Sequence, residues 1–406
     1  MQRLTRRAVL AALSAAPLAR PALVRAQSSS QPVRIGLLSD MSGPYRDVGG
    51  PGNHVATELA IQDFGGSVLG RPIEIVQADE QNKPDIAGAL ARQWIDSGNV
   101  HVLADGSASS SGLAVQQICR EKKQIYLITG PATSDMTGPQ CSAYGIHWSY
   151  DTYALASGTG RALAKSGGDR WFFITADYAF GYALERDSAN AVKAAGGTVL
   201  GAVRAPLATS DFSSYLVQAK ASGANVIGLA NAGTDSQNCV KQAAEFGIMQ
   251  GGTKIATLLF QLSDVHALGL QTCQGLVFTD SFYWDQTDQT RAWSARFTAR
   301  MGTAPGLLHA GSYAAALHWL KAVKAAGTTN ADDVVAKMKQ MPVNDMYNTN
   351  VPIRQDGRVL HKMYLWQVKT PAESKYKFDY CKPLANLTGD EAFRPMNAGG
   401  CPLIKV

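Results

Sequence analysis

The stretch Val100-His101-Val102-Leu103-Ala104, followed by Asp105-Gly106-Ser107-Ala108-Ser109-Ser110-Ser111-Gly112, decides how the chain is read. A short apolar run breaks at Gly, passes through hydroxyls and continues into helix-like sequence, the pattern of a strand feeding a helix in a βα unit. The next unit repeats it: Ile125-Tyr126-Leu127-Ile128 runs into Thr129-Gly130-Pro131-Ala132-Thr133-Ser134-Asp135. In open α/β sheets, ligands sit beyond the carboxyl ends of the strands. Free N–H groups at a helix start, joined by Ser and Thr hydroxyls, make a donor-rich cup for an anion. The same hydroxyls also serve as ordinary helix caps. Two such turns in succession leave both readings open.

The flanking sequence extends the pattern in both directions. Upstream, Val33–Leu38 reads as a parallel-type strand ending in Ser39-Asp40-Met41-Ser42-Gly43-Pro44. A helix from about Gly52 to Phe64 follows, then a strand at Ile73–Val76 and a helix opened by Pro84. Downstream, Trp148-Ser149-Tyr150-Asp151 breaks the rhythm and reads as a crossing segment, with Trp148 as hinge packing. After a helix from about Thr152 to Lys165, the βα pattern restarts at Trp171–Thr175 and Asp177-Tyr178-Ala179-Phe180-Gly181. Further strands fall at Thr198–Val203, Asn225–Leu229, Lys254–Leu258 and Gly275–Phe278. A second α/β lobe on the plan of the first is expected. Helices follow at 290–301 and 309–326, then a hairpin over Val351–Gln367 turning at Gln355-Asp356-Gly357. A Pro- and Asn-rich tail from Thr370 should wrap the surface.

Bulk properties bound the function. A chain of 406 residues suggests two domains, and 46% hydrophobic with 17% charged residues is globular composition. The net charge of +6 is concentrated at the start, where Arg3, Arg6, Arg7, Arg20 and Arg25 meet no acidic residue; without those five the charge is +1. A nearly neutral body has no electrostatic footprint for nucleic acid. Residues 1–26 read as an export signal: Thr5-Arg6-Arg7, a short apolar run Ala8–Leu13, and Val24-Arg25-Ala26 before the cut. The paired arginines favour the twin-arginine route, and the run is too short to span a bilayer. A periplasmic protein is expected.

An exported chain with six cysteines suggests disulfides. Six cysteines allow 15 pairings, and buried free thiols are the alternative for any one pair, above all for Cys119 on an apolar helix face. On the two-lobe reading the pairs Cys119–Cys141, Cys239–Cys273 and Cys381–Cys401 are expected, each local to one lobe or the tail, because a bond between lobes would tie them together. No Cys-x-x-Cys or His-Glu-x-x-His spacing occurs, so neither a metal nor another cofactor is expected. Catalysis is not advertised either. A nucleophile elbow around Ser110 would need Gly where Ala108 stands, and no phosphate-binding Gly-x-x-x-x-Gly-Lys is present.

Met41-Ser42-Gly43-Pro44, Gly65-Gly66…Gly70, the Ser109–Ser111 turn, Pro131-Ala132-Thr133 and Asp177-Tyr178…Gly181 occur in this order. With them the sequence resembles the periplasmic solute-binding proteins of ABC importers, of the leucine/isoleucine/valine-binding type, over about residues 33 to 370. The resemblance implies an α/β, two-lobed periplasmic-binding-protein type I fold. Each lobe is then a mostly parallel sheet flanked by helices, joined by three hinge crossings. Lobe one would hold 33–149 and 281–350; lobe two would hold 150–280 and 351–406 with the tail. It also implies a ligand cleft in which Ser109 or Ser110, with Thr133, holds a carboxylate. Tyr45 lies near the aromatic wall, and Phe180 matches the aromatic after the first strand of lobe two. Tyr150 and Tyr178 are candidates for the same wall or for the core. Asp151 matches a crossing acid that meets a ligand ammonium. Asn231 stands where an aromatic is usual, and Gln261 about where the main ammonium-pairing glutamate falls. A buried ammonium without its carboxylate is costly.

The reading is therefore a monomeric, non-catalytic receptor that closes on a small organic carboxylate and presents it to a membrane permease. The aromatic candidates and Gln261 favour an aromatic acid; Asp151 keeps a branched-chain or other amino acid open. An amide- or urea-type binder and a serine hydrolase using Ser109 or Ser110 are further alternatives. A cytosolic amide-sensing regulator shares the fold, but residues 1–26 argue against it.

Overall fold

The computed structural model describes residues 31–98 and 100–405, so the export-signal reading of residues 1–26 lies outside the described residues. Three sheets organise the chain. The first comprises β1 (Val33–Ser39), β2 (Ser67–Val68), β3 (Arg71–Asp79), β4 (Val102–Asp105), β5 (Tyr126–Ile128) and β6 (Gly145–His147), in the order β2-β3-β1-β4-β5-β6. All its pairings are parallel except the short β2–β3 edge. The apolar runs are continuous because helices cover both faces. Val33, Ile35 and Leu37 of β1 pack with the helices Gly50–Phe64 and Leu307–Ala326, whereas Leu38, Leu103 and Tyr126 pack with Pro84–Asp96 and Ser109–Lys122.

The second sheet is wholly parallel: β7 (Arg170–Ala176), β8 (Thr198–Ala205), β9 (Val226–Ala230) and β10 (Lys254–Thr257), in the order β10-β9-β7-β8. A third, antiparallel sheet of β11 (Val277–Asp280), β12 (Met363–Val368) and β13 (Cys381–Leu387) joins the core of this second lobe. Two local expectations change here. The Gln355-Asp356-Gly357 turn is present, with Gly357 at φ +89° and Ile353 bridged to Val359. Met363–Val368, however, pairs with β11 and β13 instead of closing a hairpin, because a partner strand is available on each side. The helix over 152–165 is interrupted by a π turn at Ala156–Gly160. There a Cβ on Gly158 would overlap the Thr279 hydroxyl, which bonds Thr159 at 2.8 Å.

The chain crosses between the lobes after β6, after β11 and before β12, which gives the two-lobed periplasmic-binding-protein type I fold. Trp148 is fully buried at the first crossing, its ring 5.7 Å from His318 and 6.3 Å from His361.

The disulfides differ from expectation. None of Cys119–Cys141, Cys239–Cys273 and Cys381–Cys401 forms. Cys141 is bonded to Cys401 across a sequence separation of 260, and Cys119, Cys239, Cys273 and Cys381 are buried free thiols. The reason lies in the tail. After contributing β13 to the second lobe it returns to the first, where Arg394 donates to the Ser134 carbonyl at 2.8 Å and Cys401 reaches Cys141. Cys381 opens a strand, and Cys119 faces the packed side of its helix.

A disulfide closing so long a loop restrains the unfolded chain, and its removal typically costs about 2–5 kcal/mol. Cys141→Ser is expected to lower unfolding stability by that order in denaturant titration. Non-reducing peptide mapping should yield a 141–401 linkage with four free thiols. Recovery of a Cys239–Cys273 peptide would contradict the assignment.

Candidate functional site

The loops after the parallel strands of the two lobes face one another and enclose a cavity. Its first-lobe wall is Tyr45, Asn53, Asp105, Ser107, Ser109 and Leu308, with Tyr150 from the first crossing; its second-lobe wall is Tyr178, Phe180, Gly233, Leu259, Gln261 and Asp264. About 470 Å³ of empty space, counting the open mouth, lies among these groups. The space consists of slots between rings, drawn together by the lobes.

On the first lobe, Asp105 and Gly106 both take left-handed backbone conformations at the end of β4, with φ +74° and +80°. This turns the chain so that the helix Ser109–Lys122 starts at the cavity. A Cβ on Gly130 would overlap the Gly106 carbonyl oxygen, so the β4 and β5 turns touch backbone to backbone. Ser109 Oγ accepts the N–H groups of Ala132 and Thr133, both at 3.1 Å, which leaves its own proton free to donate. Asp105 accepts from the Ser39 hydroxyl at 2.5 Å and from Asn53 Nδ2 at 2.7 Å. Because that bond fixes the amide, Asn53 Oδ1 is left buried without a donor among the described residues. Behind them Glu80 accepts the Ser107 N–H at 2.8 Å.

On the second lobe, Tyr178 and Phe180 come after β7, with ring centroids 5.9 Å apart. Gln261 caps the helix Leu262–Leu268 and donates its N–H to Asp264 at 2.8 Å; Asp264 also accepts from Gln237 at 2.7 Å. The lobes meet directly at one corner. The Tyr45 and Tyr178 hydroxyls are hydrogen-bonded, and the Thr234 N–H reaches the Pro44 carbonyl at 3.3 Å. Gly233 permits that approach: its φ is +59°, and a Cβ there would overlap the Pro44 oxygen. The Tyr45 loop is rigid, since Asp40 accepts the N–H groups of Gly43 and Tyr45 and the amide of Asn82.

No lysine, arginine or histidine lines the cavity among the described residues. Burial pushes Asp105 up to about 8 and Asp264 up to about 7. Glu80 is likewise raised to about 7 by burial. These acids are poised near neutrality and can donate as well as accept.

Of the residues singled out from sequence, Tyr45, Ser109, Tyr150, Tyr178, Phe180 and Gln261 line this one cavity. Four do not. Ser110 lies half-buried on its helix outside the lining. Thr133 is buried as the cap of the 3₁₀ turn Ser134–Thr137 and contributes its N–H to Ser109 rather than a hydroxyl to the cavity. Asp151 is committed elsewhere: it caps the helix at Thr152, accepting the Ala154 N–H at 2.8 Å, and lies 3.4 Å from the buried Arg358 guanidinium. Asn231 is buried with Oδ1 on the Ser236 hydroxyl at 2.7 Å, and its neighbours Ala232 and Gly233 line the cavity instead. The structure adds Asn53, Asp105 and Asp264 to the lining. Asp105 sits inside the opening turn but reads as a strand end. Asn53 looks like one polar residue on an ordinary helix. Asp264 stands three residues after Gln261, a spacing that reads as helix capping.

These walls at the carboxyl ends of two facing parallel sheets define the class of protein. The chain belongs to the periplasmic binding protein family, whose profile, described as "Periplasmic binding protein", matches residues 32–375. A periplasmic binding protein of Burkholderia mallei with a known crystal structure is 49% identical. It superposes with a TM-score of 0.91, covering 92% of this chain and 100% of that one. A branched chain amino acid ABC transporter periplasmic ligand-binding protein of Burkholderia xenovorans LB400 is 37% identical, with a TM-score of 0.81 and coverage of 91% and 99%. Leu/Ile/Val-binding protein homolog 6 of Brucella melitensis biotype 1 is 27% identical over 241 residues, or 58% of this chain. The chain spans 61% of the length of that curated relative.

The corner contact generates a prediction. Gly233→Ala should hold the lobes apart under conditions where wild-type scattering matches the closed form, seen as a larger radius of gyration in small-angle scattering. Gly302→Ala is the control, because its φ of +76° faces open space and carries the backbone cost alone. Equal radii for the two variants would remove Gly233 from the closing contact.

Proposed function

We propose that the protein is the solute-binding receptor of an ABC importer, working as a monomer outside the cytoplasm and handing its ligand to membrane permease subunits. Export by the twin-arginine route is part of the same reading. So is the division of the chain into 33–149 with 281–350 and 150–280 with 351–406, although the end of the tail is bonded to first-lobe residues through Arg394 and Cys401. Among the described residues no helix is long and apolar enough to cross a membrane. One observation carries the proposal: Ser109 and Tyr45 on one lobe and Tyr178, Phe180 and Gln261 on the other line a single cavity at facing strand ends. A ligand touching both walls shifts the hinge toward closure in proportion to its preference for the closed form. Membership in the periplasmic binding protein family supports this receptor reading over a serine hydrolase using Ser109 or Ser110.

For the ligand we favour a small organic carboxylate with a flat or apolar body. The Ser109 hydroxyl is a free donor, and the rings of Tyr45, Tyr150, Tyr178 and Phe180 form the slots. Asp264 and Asp105 in the same lining favour a second reading, an amino acid whose ammonium meets an acid. Proton linkage separates the two. Enclosing a carboxylate beside these acids raises their pKa further, so binding takes up protons and affinity falls as pH rises through about 7 to 8. Enclosing an ammonium lowers their pKa, so binding releases protons and affinity rises as pH climbs toward about 7 to 8, levelling off above it.

Titration calorimetry with benzoate-type acids and with leucine between pH 6 and 8.5 should therefore show aromatic-acid affinity falling, by up to about tenfold per pH unit for each proton taken up. Asp264→Asn should flatten that slope. Leucine binding tightly with the opposite slope, alongside silent aromatic acids, would establish the amino-acid reading in its place.

A further inference from the structure

A second depression, with about 1030 Å³ of empty space counting its open mouth, lies on the hinge side of the molecule and shares no lining residue with the cleft cavity. Its walls come from three parts of the chain: Asp135 after β5, Arg161, Arg186 and Asp187 on second-lobe helices, and Arg394 of the tail. The pairing of its three arginines is unequal. Arg186 is saturated, with Nη1 3.0 Å from Asp135, Nε 3.0 Å from Asp187 and Nη2 3.0 Å from the Ser134 hydroxyl. Asp187 is in turn held by the hydroxyls of Ser134 at 2.7 Å and Thr152 at 2.6 Å. Arg394 donates to the Ser134 carbonyl at 2.8 Å and forms no ion pair among the described residues; the acid whose charge it feels, Asp151, is already paired with Arg358. Arg161 is half-buried, and its guanidinium makes no hydrogen bond or ion pair among the described residues.

Three guanidinium groups against two carboxylates leave the depression with one excess positive charge, and both carboxylates are spent on Arg186. A guanidinium fork matches the geometry of carboxylate and phosphate oxygens, so two forks without acids on one concave wall are complementary to an oxyanion. The placement of Arg161 adds an independent sign. It is the first residue after the π turn Ala156–Gly160, and Ser157 of that turn lines the same depression. An extra residue in a helical turn rotates the side chains beyond it, and such turns recur at functional sites.

We propose that this depression binds a small oxyanion, phosphate or a dicarboxylate, through Arg161 and Arg394. Because Arg161 belongs to the second lobe while Arg394 is tied through Ser134 to the first, the bound anion braces the closed arrangement from behind the hinge. It acts there as an effector separate from the cleft ligand.

The test is titration calorimetry of the folded protein with inorganic phosphate and with succinate, at ionic strength held constant with chloride. Wild type should bind at least one of them saturably at one site, and Arg161→Gln should weaken that binding at least tenfold. Arg161→Lys, which keeps the charge but loses the fork, should weaken it as well. No saturable heat from either anion up to about 10 mM, a generous ceiling for a two-arginine site, or equal affinity in folded Arg161→Gln, would overturn the proposal. Because none of these residues touches the cleft, the result stands whatever ligand the cleft takes.

Discussion

One buried cation holds the hinge together. Arg358 is fully inaccessible, and its guanidinium donates to the carbonyls of Trp148 and Tyr150, lies 3.4 Å from Asp151, and stacks 4.5 Å from the Phe393 ring. Those partners belong to the first crossing and to the returning tail, while Arg358 itself sits on the third crossing. Backbone bonds run beside it, from His147 N to Gly357 O and from Val359 N to His147 O. Burial lowers Arg358 to about 10, which still leaves it charged at neutral pH. Removing one partner of such a pair strands the other charge in the interior, a loss of about 3–5 kcal/mol. The two lobes thus pivot about a point that is chemically fixed, and everything at the cleft depends on that register.

The cleft works within that constraint. Its walls are strand ends and helix starts, so its donors are largely used inside each lobe: Ser109 takes two N–H groups, Glu80 takes the Ser107 N–H, and Asp40 ties down the Tyr45 loop. A short set of groups remains for a ligand. The Ser109 hydroxyl can donate, the Asn53 carbonyl can accept, and the raised acids Asp105 and Asp264 can do either. Aromatic rings fill the rest. On the proposed reading, such a site would select by shape and proton count more than by fixed charge.

Much of this is legible in the sequence, and the exceptions have physical causes. Continuous apolar runs mark the strands because both sheet faces are covered, and hydroxyl-rich turns mark strand ends where helices begin. Tyr45, Ser109, Tyr178 and Gln261 converge on one cavity. Asp151 does not join them, because its likeness to a ligand-binding acid carries no information about Arg358, more than two hundred residues away in the chain. The disulfide escapes for the same reason: sequence proximity favours local pairs, whereas the tail returns across the molecule to Cys141. Asn53 and Asp264 are hidden because one polar residue on a helix, or one acid three after a cap, is locally ordinary. Only the closing of one lobe on the other makes them walls of a cavity.

The central claim is that this cavity between the lobes is where a solute is held. Its most direct test is mass spectrometry of protein purified under native conditions and then denatured, run beside Tyr178→Trp, which fills the slot from the second lobe. One small organic acid should be released in near-equal amount from the wild type and be absent from the folded variant. The same compound released equally from both would contradict the claim, because the solute would then be held somewhere else.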